Sequence, residues 1–285
     1  MKAYEYILSK QTQWALNNKV KLIGSKGIRG RHAYTKRLRE NLFEPLRPSV
    51  RKCFKDGDGG KLIGYPSKMQ AIHSSSALGV NIFHYWLKEN QVPKIAAACG
   101  LCNKNNKSSN NIMFETKYKI SEKFAFGLNL DVVIENSPES KFKVFAVESK
   151  FSEAYSSRRH SGLKQKYLQL QNIWKDVPNL RRFSKKISPV DKRFNHLHPA
   201  QLVKHILGLK EKYGKNKFRL LYLWYDCMGD EGAKHRKEIE EFTRVAKADS
   251  IHFHALSYQE LIIKLSKNYR DSHNDYIDYI SRRYL

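Results

Sequence analysis

The chain has 285 residues, 41% hydrophobic and 12% aromatic, enough to bury a sizeable core as one large domain or two small ones. Its 53 Lys+Arg against 27 Asp+Glu leave a net charge of +26, an excess that calls for a polyanionic partner, and phosphate polymers are the usual ones. No stretch reaches the roughly 20 apolar residues of a membrane-crossing helix, and the start, MKAYEYILSKQTQWALNNK, lacks a signal peptide's apolar core and cleavage site, so the expectation is an intracellular protein with no membrane partner.

Residues 1 to 70 carry sixteen Lys+Arg and five Asp+Glu, broken by GSKGIRGRH and KDGDGGK, which predicts helical pieces joined by basic loops. MQAIHSSSALGVNIFHYWLKEN predicts a helix, with Ile72, Leu78, Ile82, Tyr85 and Trp86 near helical spacing and Ser74 to Ser76 available as a cap. Cys99 and Cys102 form a lone CxxC with no second ligand pair nearby, which favours free thiols over a structural zinc. The polar loop CNKNNKSSNN closes this part. The expected division is a mainly helical basic region over 1–110 packed on a core over 111–285.

From Asn111 the period changes to two. NIMFETKYKI sets Ile112, Phe114, Thr116, Tyr118 and Ile120 on one face and Glu115 and Lys117 on the other. LDVVIE, the turn signal NSPES and KFKVFAVESK complete an antiparallel meander. Beyond it, Ser152 to Val177 predicts a long helix, HPAQLVKHILGLKEKYG a second, FRLLYLWYD a buried strand and GAKHRKEIEEFTRVAKA a further helix. The fold class expected is α/β with α+β character: a mixed central sheet flanked by helices.

The chemistry concentrates at the end of FAVESK. A strand's alternation puts Phe142, Val144, Ala146, Glu148 and Lys150 on one face and Phe145, Val147 and Ser149 on the other. A buried carboxylate and ammonium cost several kcal/mol unless each finds a partner or a metal. Asp131 opens the apolar strand before it. A hairpin turn centred between Glu139 and Ser140, beside NSPES, sets Asp131 opposite Glu148, about 5 Å apart, where two carboxylates repel unless a hard cation lies between them. Lys150 would then stand beside the ion. Glu115 is an extra metal ligand or orienting carboxylate, with an exposed ion pair to Lys117 as the alternative. Gln201 and His205, at i and i+4 of one helix, suit support near phosphate, with a core or solvated His205 as the alternative.

Asp131, Glu148, Ser149 and Lys150 match the D…ExK signature, and the chain resembles the PD-(D/E)xK phosphodiesterase superfamily, with Leu130 where the motif has Pro. In order, SSSALGVNIF, FETKYKI, LDVVI, FAVESKFSEAY, PAQLVKHILGL and LLYLWYD look like a group of restriction endonucleases within it, over about residues 70 to 245. The resemblance implies a restriction-endonuclease-like core that cuts double-stranded DNA with Mg2+, Mn2+ being able to substitute. It also implies a prokaryotic, cytoplasmic setting and a homodimer for double-strand cutting. Residues 156 to 195 hold eleven Lys+Arg and two Asp+Glu, and Arg158, Arg159, Lys164 and Lys166 are the expected phosphate contacts. Two rivals remain open. One is a non-catalytic DNA-binding protein with a structural ion-pair network, the other a repair or mobile-element nuclease that reads shape or ends.

Overall fold

A computed structural model describes residues 1–24, 32–57, 60–124, 127–156 and 160–285. Helix α1 (Ala3–Asn17) leads into a two-stranded antiparallel pair, β1 (Leu22–Gly24) and β2 (His32–Thr35). Helices α2 (Pro48–Asp56), α3 (Ser75–Lys88) and α4 (Val92–Ala98) follow. The β1–β2 pair is the one element of this region that reading it as helical pieces misses. Ser74 accepts from the Ala77 amide and caps α3, as its serine run predicts.

The meander forms as its period indicates, from β3 (Ser109–Tyr118), β4 (Leu128–Asn136) and β5 (Val144–Lys150). After a long connection with α5 (Gln165–Gln169), α6 (Pro178–Lys186) and α7 (Pro199–Tyr213), strand β6 (Phe218–Trp224) lies parallel to β5. Then α8 (Asp230–Ala248), β7 (Phe253–Ser257), α9 (Tyr258–Tyr269) and α10 (Asn274–Tyr284) complete the chain. The five-stranded sheet runs β3-β4-β5-β6-β7, antiparallel on one side of β5 and parallel on the other. It is the mixed α/β sheet flanked by helices that the sequence predicts.

Each face of β5 meets a different helical layer. On the Glu148 side lie α7, through His205 and Gln201, and α8, whose His235 Nε2 sits 2.9 Å from the Tyr222 hydroxyl. Ser149, on the other side, meets the Tyr258 hydroxyl of α9 at 2.6 Å, while α3 passes close enough that a Cβ on Gly79 would touch the Ser149 hydroxyl. One continuous apolar core extends from Ala3 to Tyr284, and Tyr222, Trp224 and Tyr225 are within it. Among the described residues no helix is long and apolar enough to cross a membrane.

The long helix expected over Ser152 to Val177 does not form. A 3-10 turn over Ser152–Tyr155, the five-residue α5 and a second 3-10 turn over Gln171–Trp174 replace it. The reason is long-range pairing. The Gly162 amide donates to the Pro189 carbonyl, Ser161 bridges to Val190, and a Cβ on Gly162 would sit 2.1 Å from the Ile187 carbonyl oxygen. Backbone groups used there cannot close helical turns.

Helix α7 reaches the sheet over Gly208, where an added Cβ would lie 3.1 Å from Leu128 Cδ1 and 3.3 Å from Tyr118 Cβ. Gly208→Val should lower stability by about 1–3 kcal/mol through overpacking, read as a fall of roughly 2–4 °C in Tm per kcal/mol. An unchanged Tm would mean that α7 is free to move off the sheet.

Candidate functional site

Alternation along β5 and the β4–β5 register do what the sequence predicts. Val132 pairs with Val147 and Val133 with Ala146, so the next position in the same register sets Asp131 against Glu148. On the far side of β4, the pairs Phe114–Val132 and Thr116–Leu130 bracket Glu115 and Asp131. Glu115, Asp131 and Glu148 therefore occupy one row across three strands.

The three carboxylates have different surroundings. Glu148 is 1% exposed, with Lys150 Nζ 2.6 Å from Oε1 and His205 Nε2 2.8 Å from Oε2. The His205 contact is one of proximity rather than an aligned hydrogen bond. Burial alone would push the Glu148 carboxyl up, but Lys150 and then His205 outweigh it and bring it from 4.5 to about 2. Lys150 is raised in turn: burial opposes its charge, and Glu148, Glu153 and Asp131 more than offset that. Its ammonium also donates to Gln201 Oε1 at 3.0 Å. Gln201 and His205, one turn apart on α7, thus converge on the charged pair at the end of β5. His205 takes the core placement, 2% exposed.

Asp131 is the opposite case. Its only hydrogen bond among the described residues is from the Ser149 amide to Oδ2 at 2.8 Å. Burial first, then the charge of Glu148 and of Glu115, raise its carboxyl well above the usual range, against the pull of Lys150 and Lys61. Ionised Asp131 is an anion waiting for a cation.

Glu115 departs from the exposed-pair alternative. It is buried, at φ +50°, an uncommon conformation for a residue with a Cβ, and Asn129 Nδ2 reaches its Oε2 at 3.5 Å. Sequence alternation cannot foresee this, because α2 and the turn after it press on β3. A Cβ on Gly57 would lie 3.0 Å from the Glu115 Cβ.

Among the basic candidates, Arg158 and Arg159 lie outside the described residues. Lys164 is exposed, and its charge acts on Lys204 of α7, which in turn feels Glu148. Lys166 is exposed and stacks over Phe124 at 4.8 Å from the ring centre. Sequence reading misses two cations whose charges interact with the carboxylates, Lys204 with Glu148 and Lys61 with Asp131. Lys204 carried a signal, since it sits between Gln201 and His205. Lys61 carried none, because a chain separation of seventy residues from Asp131 hides the charge interaction.

The donor set suits a hard cation in kind: carboxylate oxygens, one of them destabilised as an anion. Among the described residues no three His, Cys, Asp or Glu side chains are grouped in metal-ligand geometry. Asp131 and Glu148, with Glu115 beside them, are what this chain would offer, leaving other positions to water and substrate oxygens, as magnesium commonly does.

A stability measurement checks the Asp131 environment. A carboxyl raised in the folded state means that the folded protein holds more protons than the unfolded one, so its contribution to stability falls as pH rises from about 4. Asp131→Asn, which keeps an acceptor for the Ser149 amide, should therefore be more stable than the parent at pH 7 in EDTA, by a few degrees in Tm, with the gap closing toward pH 4. Equal stability at pH 7 would show that Asp131 is not under charge stress.

No curated protein and no solved structure matches the chain. Over residues 9–285, nearly the whole length, the chain matches the family described as Restriction Endonuclease associating with ARP. That match takes in the helical N-terminal part as well as the sheet with its carboxylate row, and the chain belongs to this restriction-endonuclease-related family.

Proposed function

We propose that the chain is a Mg2+-dependent endonuclease of PD-(D/E)xK type that hydrolyses phosphodiester bonds of duplex DNA to 5′-phosphate and 3′-hydroxyl ends, with Mn2+ able to replace Mg2+. One observation carries the reading: Asp131 and Glu148 share a cross-strand position, with Lys150 on the Glu148 face. A Mg2+ ion held by Asp131 and Glu148 would supply Lewis-acid stabilisation of the phosphate and a more acidic water. Lys150, steered by Glu148 and Gln201, orients the attacking water and offsets charge growing on the phosphate. His205 keeps Glu148 ionised and in place. One site per chain cuts one strand, so double-strand cleavage calls for a homodimer.

A non-catalytic DNA-binding role has one observation in its favour, since the Glu148 carboxylate and the Lys150 ammonium balance each other's charge without a metal. Incubation of the pure protein with mixed genomic DNA and Mg2+ separates the readings. Discrete fragments support sequence-specific restriction, a smear supports a nuclease reading shape or ends, and intact DNA supports the binder.

Asp131→Ala or Glu148→Ala should abolish cleavage and leave duplex binding in Ca2+ within a few fold. Near-normal cleavage by either variant sinks the assignment. Lys150→Ala should slow the chemical step by about 10²- to 10⁴-fold while metal still binds, and calorimetric loss of metal binding would reassign Lys150 to structure. For the basic surface, Lys164→Ala with Lys166→Ala should lower the log–log salt slope of duplex binding by about 1 to 2 if both meet phosphates, since each contact contributes close to 0.9. A slope equal to the parent's would place both lysines on a solvated face.

A further inference from the structure

The segment between α2 and α3 meets the neighbourhood of the carboxylate row at its two ends. It starts against Glu115 at Gly57 and ends at His73, whose carbonyl accepts from the Ser152 hydroxyl at 3.0 Å, two residues beyond Lys150. The base of this segment is tied down. Asn41 Nδ2 donates to the Met69 and Ala71 carbonyls, Gln70 Nε2 to the Thr35 carbonyl at 2.9 Å, and the Met69 amide to the Lys61 carbonyl at 3.0 Å. Tyr65 is braced through its hydroxyl, which donates to the Lys36 carbonyl at 3.3 Å.

The tip carries side chains that a folded surface has no reason to display. Ile63 is 72% exposed and Tyr65 63%, two residues apart on a short held loop. Single exposed apolar residues are ordinary, but this pair shares its short segment with Lys61, whose charge acts on Asp131, and exposed Lys68, and Tyr65 is bonded to the backbone of exposed Lys36. An apolar and an aromatic group on a lysine-bearing segment match the two parts of a nucleic acid, base and phosphate. A protein-docking patch of this sign would need an acidic partner.

We propose that residues 60–66 form a DNA-contacting arm, in which Ile63 and Tyr65 pack against nucleobases while Lys61 faces the phosphate backbone beside the carboxylate row. The inference rests on the nuclease reading above. It locates part of the base-contacting surface in the N-terminal region, away from the basic segment after β5. Because the arm is braced at its base and at Tyr65, little ordering is needed when DNA arrives.

The test exploits the chain's four tryptophans, all of them buried. Tyr65→Trp in the full-length protein adds the one indole open to acrylamide, a neutral quencher. With Ca2+ in place of Mg2+, a short random-sequence duplex should shift the emission of that indole and reduce its quenching several-fold, while anisotropy of a labelled copy of the duplex reports binding separately. The double variant Ile63→Ser with Tyr65→Ser, both exposed and so tolerated by the fold, should weaken duplex affinity about tenfold with the salt slope unchanged, as expected for base contacts rather than phosphate contacts. If the duplex binds by anisotropy while the added indole stays fully quenchable and the double variant binds like the parent, the arm does not touch DNA, and a protein partner or second copy becomes its occupant. If the parent itself fails to bind the duplex, the nuclease reading falls with it, and the two failures are told apart.

Discussion

The structure is organised around an ion pair that must not be left alone: Glu148 and Lys150, one turn of pleat apart on the same face of the central strand β5 and held at 2.6 Å. Taking two such charges out of water costs several kcal/mol per ion before their attraction is counted. The debt is met from α7, which brings His205 to the free oxygen of Glu148 and Gln201 to the ammonium of Lys150. For α7 to come that close, a helix position facing β3 and β4 must lack a side chain, and Gly208 supplies it. The parallel return into β6 then places the β5 end between α7 and the buried Tyr222 and Trp224.

Asp131 breaks the pattern of mutual satisfaction. Its neighbours in the row are two further carboxylates, and its single hydrogen bond among the described residues comes from a backbone amide. A site built for stability would place Asn there. A carboxylate kept under charge stress beside a fully paired one is the arrangement expected where binding energy is held in reserve for an ion or substrate.

Around this centre the two ends of the chain close on each other. Arg283, fully buried without a carboxylate, is satisfied instead by Gln11, the carbonyl and side-chain oxygens of Asn41 and the Tyr279 hydroxyl, with its guanidinium 3.9 Å over the Trp14 ring. Asn41 also holds the Met69 and Ala71 carbonyls. The last helix, itself held by Gln11 of the first, therefore braces the same asparagine that anchors residues 69–71, which links the frame of the molecule to the surface proposed for DNA.

Local pattern was enough for the elements with short-range causes. The period of two in KFKVFAVESK, the NSPES turn and the register it imposes put Asp131 opposite Glu148, and the i, i+4 spacing on α7 put Gln201 and His205 on one face. These follow from backbone geometry that any chain with this patterning shares. What only the tertiary structure decided were the features set by distant partners. Glu115 is buried because α2 and the turn at Gly57 press on β3, and the charge of Lys61 acts on Asp131 from another part of the chain. The segment after β5 abandons its helix because its backbone pairs with residues 187–190, a contact whose cost and gain are invisible to any window of sequence.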